Sequence, residues 1–327
     1  MNAKEARARR VVGRPRRTYL PLEGQRRKPS DYEVVSTSLL YYPERGFEVP
    51  TPVWQHYLKH QPGARAAGVD WEAFVDPAAT TYSSYVAARR DQEAFLDRAF
   101  ARSAAPLAPE LEPLLALISA WRFPLHGLQM TAAYVGALAP TGRVTITCAL
   151  QAADELRRIQ RLCQWLARSG KSLSELDALG RELWQQHPAF QPLRRAIEEL
   201  LVTYDWMEAL VSLNGALKPL LDRLWFEHVV ASARNRDETL EQMLKSFAED
   251  GRWHEAWFGE LMRLVRAGAA EQASALGGLC RARTQAALQA LKALSPLLDG
   301  VLTVSATRVV EELGSSLRAV QAGWGEV

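Results

Sequence analysis

Asp154-Glu155-Leu156-Arg157-Arg158 and Glu249-Asp250-Gly251-Arg252-Trp253 read as one metal-binding pattern written twice and disabled twice. In a helical bundle that holds a pair of metal ions, a Glu-x-x-His on each of two helices aims carboxylate and imidazole at one ion, because i and i+3 share a face. The first stretch keeps its carboxylate, Glu155, but has Arg158 in the imidazole position; the second has Asp250 and Trp253. A guanidinium is a donor only, and an indole offers no lone pair, so neither ligates a metal. No Glu-x-x-His occurs anywhere in the 327 residues.

Around these stretches the chain reads as all-α. Ala149, Ala152, Leu156, Ile159, Cys163 and Leu166 recur every three or four residues, which predicts a long amphipathic helix over 143–169, closed by Gly170. The same periodicity predicts helices over 78–103 behind Asp76-Pro77, over 110–138 with a kink at Pro124, and over 174–186. Further helices are expected from Pro192 to Leu224 with a bend at Pro219, over 236–248, 254–267, 271–298 and 305–321. No stretch alternates as a strand does, so long antiparallel helices with short turns predict a bundle over 71–327. Residues 1–70 read as an irregular N-terminal arm, broken by Pro21, Pro29, Pro43, Pro50, Pro52 and Pro62. Seven aromatics on it (Tyr19, Tyr32, Tyr41, Tyr42, Phe47, Trp54, Tyr57) call for a surface to cover them, either a partner or the chain's own body.

Composition excludes several classes. With 48% hydrophobic residues the chain is globular. The net charge of +3 conceals a basic start: residues 1–28 hold ten Lys and Arg against Glu5 and Glu23, leaving the remainder net acidic. No nucleic-acid motif follows that start, so it reads as a solvated tail rather than a nucleic-acid contact. Pro15, Pro21 and Pro29 argue against a transit helix, and no apolar run reaches the ~18 residues of a membrane span. Three cysteines, Cys148, Cys163 and Cys280, without a CxxC, fit a reducing cytoplasm. None of the six histidines pairs with a carboxylate at ligand spacing, and no phosphate loop or nucleophile elbow is present.

What the two stretches retain also matters. Asp154 with Arg157, and Glu249 with Arg252, stand at matched offsets, where an intact site places groups that orient its ligands by hydrogen bonds. If Glu155 and Asp250 face the interior they need compensation, and Arg158 is placed to supply it; the four flanking groups would then bridge the two helices. An exposed charged face would produce the same spacing.

A family resemblance rests on longer stretches. They are Arg26-Arg27-Lys28-Pro29-Ser30-Asp31-Tyr32-Glu33-Val34-Val35-Ser36, Asp70-Trp71-Glu72-Ala73-Phe74 with Asp76-Pro77 and Thr81-Tyr82, and Leu128-Gln129-Met130 with Ala132-Ala133-Tyr134-Val135. Leu150-Gln151-Ala152-Ala153-Asp154, and Tyr204-Asp205-Trp206-Met207-Glu208-Ala209 with Val211-Ser212-Leu213-Asn214 and Lys218-Pro219, complete the set, which spans most of residues 15 to 265. The chain resembles the beta subunit of the hydroxylase of bacterial multicomponent monooxygenases of the toluene, benzene and alkene type. The resemblance implies a ferritin-like (ribonucleotide-reductase-like) fold without its own metal. It also implies a di-iron centre in a partner alpha subunit, and an α2β2γ2 assembly with a gamma subunit, served by an effector protein, a Rieske-type ferredoxin and a reductase. Set against the alpha-type pattern, Ala133 stands where one helix gives a Glu, Glu155 and Arg158 where the next gives Glu and His, and Asp250 and Trp253 where the last does. The remaining Glu falls near Asp205–Glu208, in a register left open. The reaction implied is O2-dependent hydroxylation or epoxidation of toluene, benzene, phenol or alkenes such as isoprene. A self-sufficient di-iron oxidase with unorthodox ligands and a helical nucleic-acid-binding protein are the alternatives.

Overall fold

The computed structural model describes residues 27–38, 68–103, 106–234 and 236–323. Among them every regular element is helical. The principal helices are α1 (Asp31–Ser38), α2 (Tyr82–Arg102), α3 (Glu112–Leu138), α4 (Gly142–Leu166), α5 (Leu173–Gln186) and α6 (Gln191–Leu201). A rod follows, in which α7 (Trp206–Leu210), α8 (Lys218–Arg223) and α9 (Val230–Ala233) are joined by two π-helical segments, Val211–Leu217 and Leu224–Val229. Then come α10 (Glu238–Gly268), α11 (Ala270–Ala293), α12 (Ser295–Leu298) and α13 (Ala306–Gly323).

Local chemistry sets the boundaries. Thr81 and Ser84 close a reciprocal capping box on α2, and Ser172 and Glu175 do the same on α5, each satisfying two otherwise orphaned N–H groups. Asp237 caps α10 by accepting from Leu240 N. Gly170, at φ 73°, ends the turn after α4 in a conformation that a Cβ would strain. α5 crosses α3 so closely that a Cβ on Gly180 would lie 2.3 Å from Ser119 O.

Three helix expectations are corrected. The segment from Pro192 to Leu224 is two elements: α6 ends at Leu201, and Asp205 caps a new helix by accepting from Met207 N and Glu208 N. The chain is continuous where two helices were expected on either side of Gly251, because α10 runs unbroken for 31 residues and buries that glycine. Within the stretch read as irregular, α1 forms and packs on α4. Its Tyr32 is 5% exposed and its hydroxyl accepts from Asp76 N, so this part of the arm lies on the chain's own body. The other six aromatics of the arm lie outside the described residues.

The apolar core has two parts. One gathers Trp121, Trp165, Phe190, Trp225 and Phe247, with Trp121 and Trp225 at 5.0 Å; the other gathers Phe74, Trp206, Trp257 and Phe258. Large side chains so fully buried contribute about 1.5–3 kcal/mol each. α10 packs against α2, α4 and α8, and the long α3–α4 pair flanks this group. The site lies among those four helices.

Candidate functional site

Asp154, Glu155, Arg157 and Arg158 of the first stretch and Asp250 of the second face inward, and with neighbouring helices they build a buried ionic cluster. Asp154, Glu155, Arg158 and Asp250 are each at most 1% exposed and Arg157 is 9% exposed, so the exposed-face reading of α4 does not hold. The inner half of the cluster joins α4 to α8. Arg158 Nη1 donates to Glu155 Oε1 and Asp222 Oδ1, both at 3.0 Å, while Nη2 donates to Phe247 O at 3.1 Å. Lys218 Nζ lies 2.8 Å from Glu155 Oε1 and 2.5 Å from Asp222 Oδ2. Two carboxylates thus share two cations, and the Arg158 guanidinium also lies over the Phe226 ring at 5.0 Å. Burial works to raise Asp222, but Arg158 and Lys218 outweigh it and hold this carboxyl below its ordinary value. Burial works against the Arg158 charge, yet Asp222 and Glu155 raise its pKa further.

The outer half joins α4 to α2 and α10. Asp154 accepts from Tyr85 Oη at 2.8 Å and from Arg89 Nε at 2.8 Å, and lies 3.1 Å from His254 Nε2. Arg89 reaches on to Asp250 Oδ1 at 2.7 Å, and Arg157 Nη1 donates to Asp250 Oδ2 at 2.8 Å. Arg157 also donates to Glu93 of α2 and to Ser246 Oγ of α10. Burial opposes the Asp154 charge, but the His254 bond and Arg89 prevail and lower its pKa. For Asp250 the balance is reversed: burial, reinforced by the Asp154 charge, pushes it up to about 7 despite Arg89, Arg158 and Arg157. Burial and the Lys218 charge hold His254 down at about 4, so it is neutral at pH 7, with Nδ1 lacking a partner among the described residues. Four carboxylates face four cations, and the cluster is near neutrality.

Several expected members lie elsewhere. Ala133 is exposed on α3, beside the buried Ala132. Among the described residues, no ionic group of the cluster comes from α3. Glu249 and Arg252 do not bridge α4 and α10, because their positions on α10 point away from the interior; Glu249 instead accepts from Gln92 Nε2 of α2 at 2.7 Å. Trp253 is half-buried and its Nε1 donates to Asp76 Oδ1 at 3.0 Å, outside the ionic cluster. Near Asp205–Glu208, Asp205 is spent on its helix cap and Glu208 is exposed. The carboxylate this rod contributes is Asp222, more than a dozen residues further on.

Sequence reasoning missed Lys218, Asp222, Arg89, Tyr85 and His254. For His254 a signal existed, since it follows Asp250 at i+4 and therefore shares its face. Gly251 had a signal of another kind: a Cβ there would lie 3.1 Å from Asp222 Oδ2, so the glycine lets α10 approach the cluster.

The donor set does not fit a carboxylate-bridged di-iron centre. Positively charged nitrogens lie at hydrogen-bonding distance between the carboxylates, where cations of a metal would have to lie, and Trp253 is turned to Asp76. Among the described residues, no group of three or more His, Cys, Asp or Glu is arranged to hold a metal.

Comparisons with known proteins give the site its context. A family model described as methane/phenol/alkene hydroxylase matches residues 44–267, more than half of the chain. The chain belongs to that hydroxylase family. Within it, the chain stands with the beta subunits of multicomponent monooxygenases. The hydroxylase component subunit beta of the toluene-4-monooxygenase system of Ectopseudomonas mendocina is 30% identical over 273 residues, covering 76% of this chain and 81% of the relative. The oxygenase component DmpL of phenol 2-monooxygenase from Pseudomonas sp. (strain CF600) is 27% identical over 270 residues, covering 79% and 76%. Among solved structures, toluene 4-monooxygenase with toluene bound in its resting active site matches with a TM-score of 0.73 at 27% identity, over 88% of this chain and 99% of that one. Xenon-pressurized phenol hydroxylase from Pseudomonas sp. OX1 matches with a TM-score of 0.78 over 96% of each chain; at 19% identity it speaks for the fold alone. The fold of this hydroxylase subunit is the ferritin-like helical bundle. No helix among its described residues is long and apolar enough to cross a membrane.

Proposed function

We propose that the chain is the non-catalytic beta subunit of the hydroxylase of a cytoplasmic multicomponent monooxygenase, and that it supports an alpha subunit bearing the di-iron centre. In this reading Ala133, Glu155, Arg158, Asp250 and Trp253 are the remains of a metal site. The helical domain is 71–327 with 1–70 as its arm, and the assembly is α2β2γ2. Electrons derived from NAD(P)H arrive through a reductase and a Rieske-type ferredoxin, under an effector protein. The substrates are small hydrocarbons: toluene, benzene and phenol, or alkenes such as isoprene. The observation that carries the reading is the seating of Arg158 and Lys218 between Glu155 and Asp222, which gives the carboxylates their counter-charge within the chain. That geometry also speaks against a self-sufficient oxidase.

The test is metal analysis and oxygenase assay of the separated subunits. Iron is expected with the partner and not at stoichiometric level with this chain, and activity is expected only when the two are combined. One or more equivalents of tightly held iron in this chain alone would sink the proposal.

A further inference from the structure

Apart from the ionic cluster, a groove opens between α6 and α11, beside the first π segment of the rod. Its volume is about 530 Å3. Ala196 and Leu200 of α6, Ser212 and Leu217 of the first π segment, and Ala286 and Ala287 of α11 contribute to its walls. The volume suits a small organic molecule, and walls that are mainly apolar with a few polar groups are usual for such sites. Two polar groups of the groove are unspent. Ser212 is 3% exposed and its Oγ has no hydrogen-bond partner among the described residues. A helical serine ordinarily returns its hydroxyl to a carbonyl one turn back, as Ser119 does to Leu115 O. A buried hydroxyl left without a partner is costly, and a ligand that bonds to it recovers this cost. Arg195, at the exposed mouth, engages no side chain among the described residues, whereas its neighbour Arg283 is held by Glu199 at 2.7 Å. A free guanidinium plane at the mouth is suited to lie over an aromatic face.

We infer that this groove binds a small neutral aromatic alcohol. The ring lies against Ala196, Leu200, Leu217 and Ala287 under Arg195, and its hydroxyl exchanges a hydrogen bond with Ser212 Oγ. A phenolic hydroxyl suits Ser212 because each group both donates and accepts. The choice of ligand class rests on the proposed role in hydrocarbon hydroxylation, since phenols are products of such chemistry. The groove itself does not rest on it.

Crystals of the assembled hydroxylase soaked with 4-bromophenol should show the bromine signal in the groove, with the phenolic oxygen at hydrogen-bonding distance from Ser212 Oγ. Titration of the full chain with the same probe should give weaker binding in Ser212→Ala by about fivefold, the loss of one neutral hydrogen bond. Ala286→Trp, at an exposed position of the wall, should abolish binding while the helical signal is kept. Bromobenzene should bind more weakly than 4-bromophenol and be indifferent to Ser212→Ala. Absence of bromine from the groove at saturation, or a segment of a partner chain filling it, overturns the inference. So does 4-bromobenzoate binding more tightly than the phenol and losing its affinity in Arg195→Ala, which would make this an anion site. Because these readouts are of binding, they fail independently of the iron analysis that tests the proposed role.

Discussion

The two halves of the ionic cluster face the same problem and solve it differently. Around Glu155 and Asp222, Arg158 and Lys218 lie between the carboxylates, and Asp222 is kept ionised although it is buried. Around Asp154 and Asp250, Arg89 spans both carboxylates and Arg157 reaches Asp250, yet burial and the nearby Asp154 charge outweigh them and raise Asp250. Burial alone therefore does not decide whether a carboxylate keeps its charge. The balance of like and opposite charge around it does.

The largest expected effect comes from breaking the inner half. Arg158→Ala leaves Glu155 and Asp222 short of a buried cation and should destabilise the chain by about 3–5 kcal/mol in urea unfolding. A loss below about 1 kcal/mol would mean that the pair behaves as an exposed one. Next, Asp222→Asn and Asp250→Asn set the halves directly against each other. The first leaves the buried Arg158 and Lys218 to share Glu155 alone and should cost about 3 kcal/mol at pH 7, while the second replaces a group already near half-protonation and should cost about 1 kcal/mol. Equal losses would refute the distinction.

The pH dependence sharpens it further. His254 is lowered from 6.5 to about 4, so the unfolded chain takes up that proton first and stability falls as pH drops through this window. Asp250 is raised from 3.8 to about 7, so the folded chain takes up its proton first and stability rises as pH drops through nearly the same window. The two oppose each other, and stability should be nearly flat between pH 7 and 4. Below about pH 4 it should fall steeply, because Asp154 and Asp222 titrate below their unfolded values and lose their contribution as they protonate. In Asp250→Asn the His254 slope is uncovered, at up to about 1.4 kcal/mol per pH unit, and unfolding curves at pH 7, 5.5 and 4 will show it. The smallest effect belongs to Arg252→Ala, within about 0.5 kcal/mol, since that side chain is exposed.

How much of this was legible in the sequence follows from what sets each position. The face that α4 buries was not legible, since Ala149 and Leu156 of its expected apolar stripe are exposed while Asp154, Glu155 and Arg158 are buried, but the helices of 82–166 were, because an uninterrupted α-helix keeps its register. On the rod they were not. The π segment Val211–Leu217 slips the register that an α-helical count assumes, so Lys218 and Asp222 could not be assigned to the site from Asp205. Gly251 reads as a helix break by propensity, but tertiary packing overrides propensity where Asp222 requires the close approach. Arg89 lies on a helix rich in Arg, Gln and Asp, where nothing but the partner helices distinguishes it from a surface residue.

The cluster also constrains the order in which the chain comes together. Arg157 meets Asp250 across 93 residues and Asp154 meets His254 across 100, while Arg89 and Asp154 are only 65 apart. As the chain leaves the ribosome, α2 and α4 can pair through Arg89 and Asp154 long before α10 exists. Arg157 can then already pair with Glu93 of α2, but its bonds to Asp250 and Ser246 await α10. Closure of the bundle is thereby deferred until α10 arrives, and contacts of such separation slow folding.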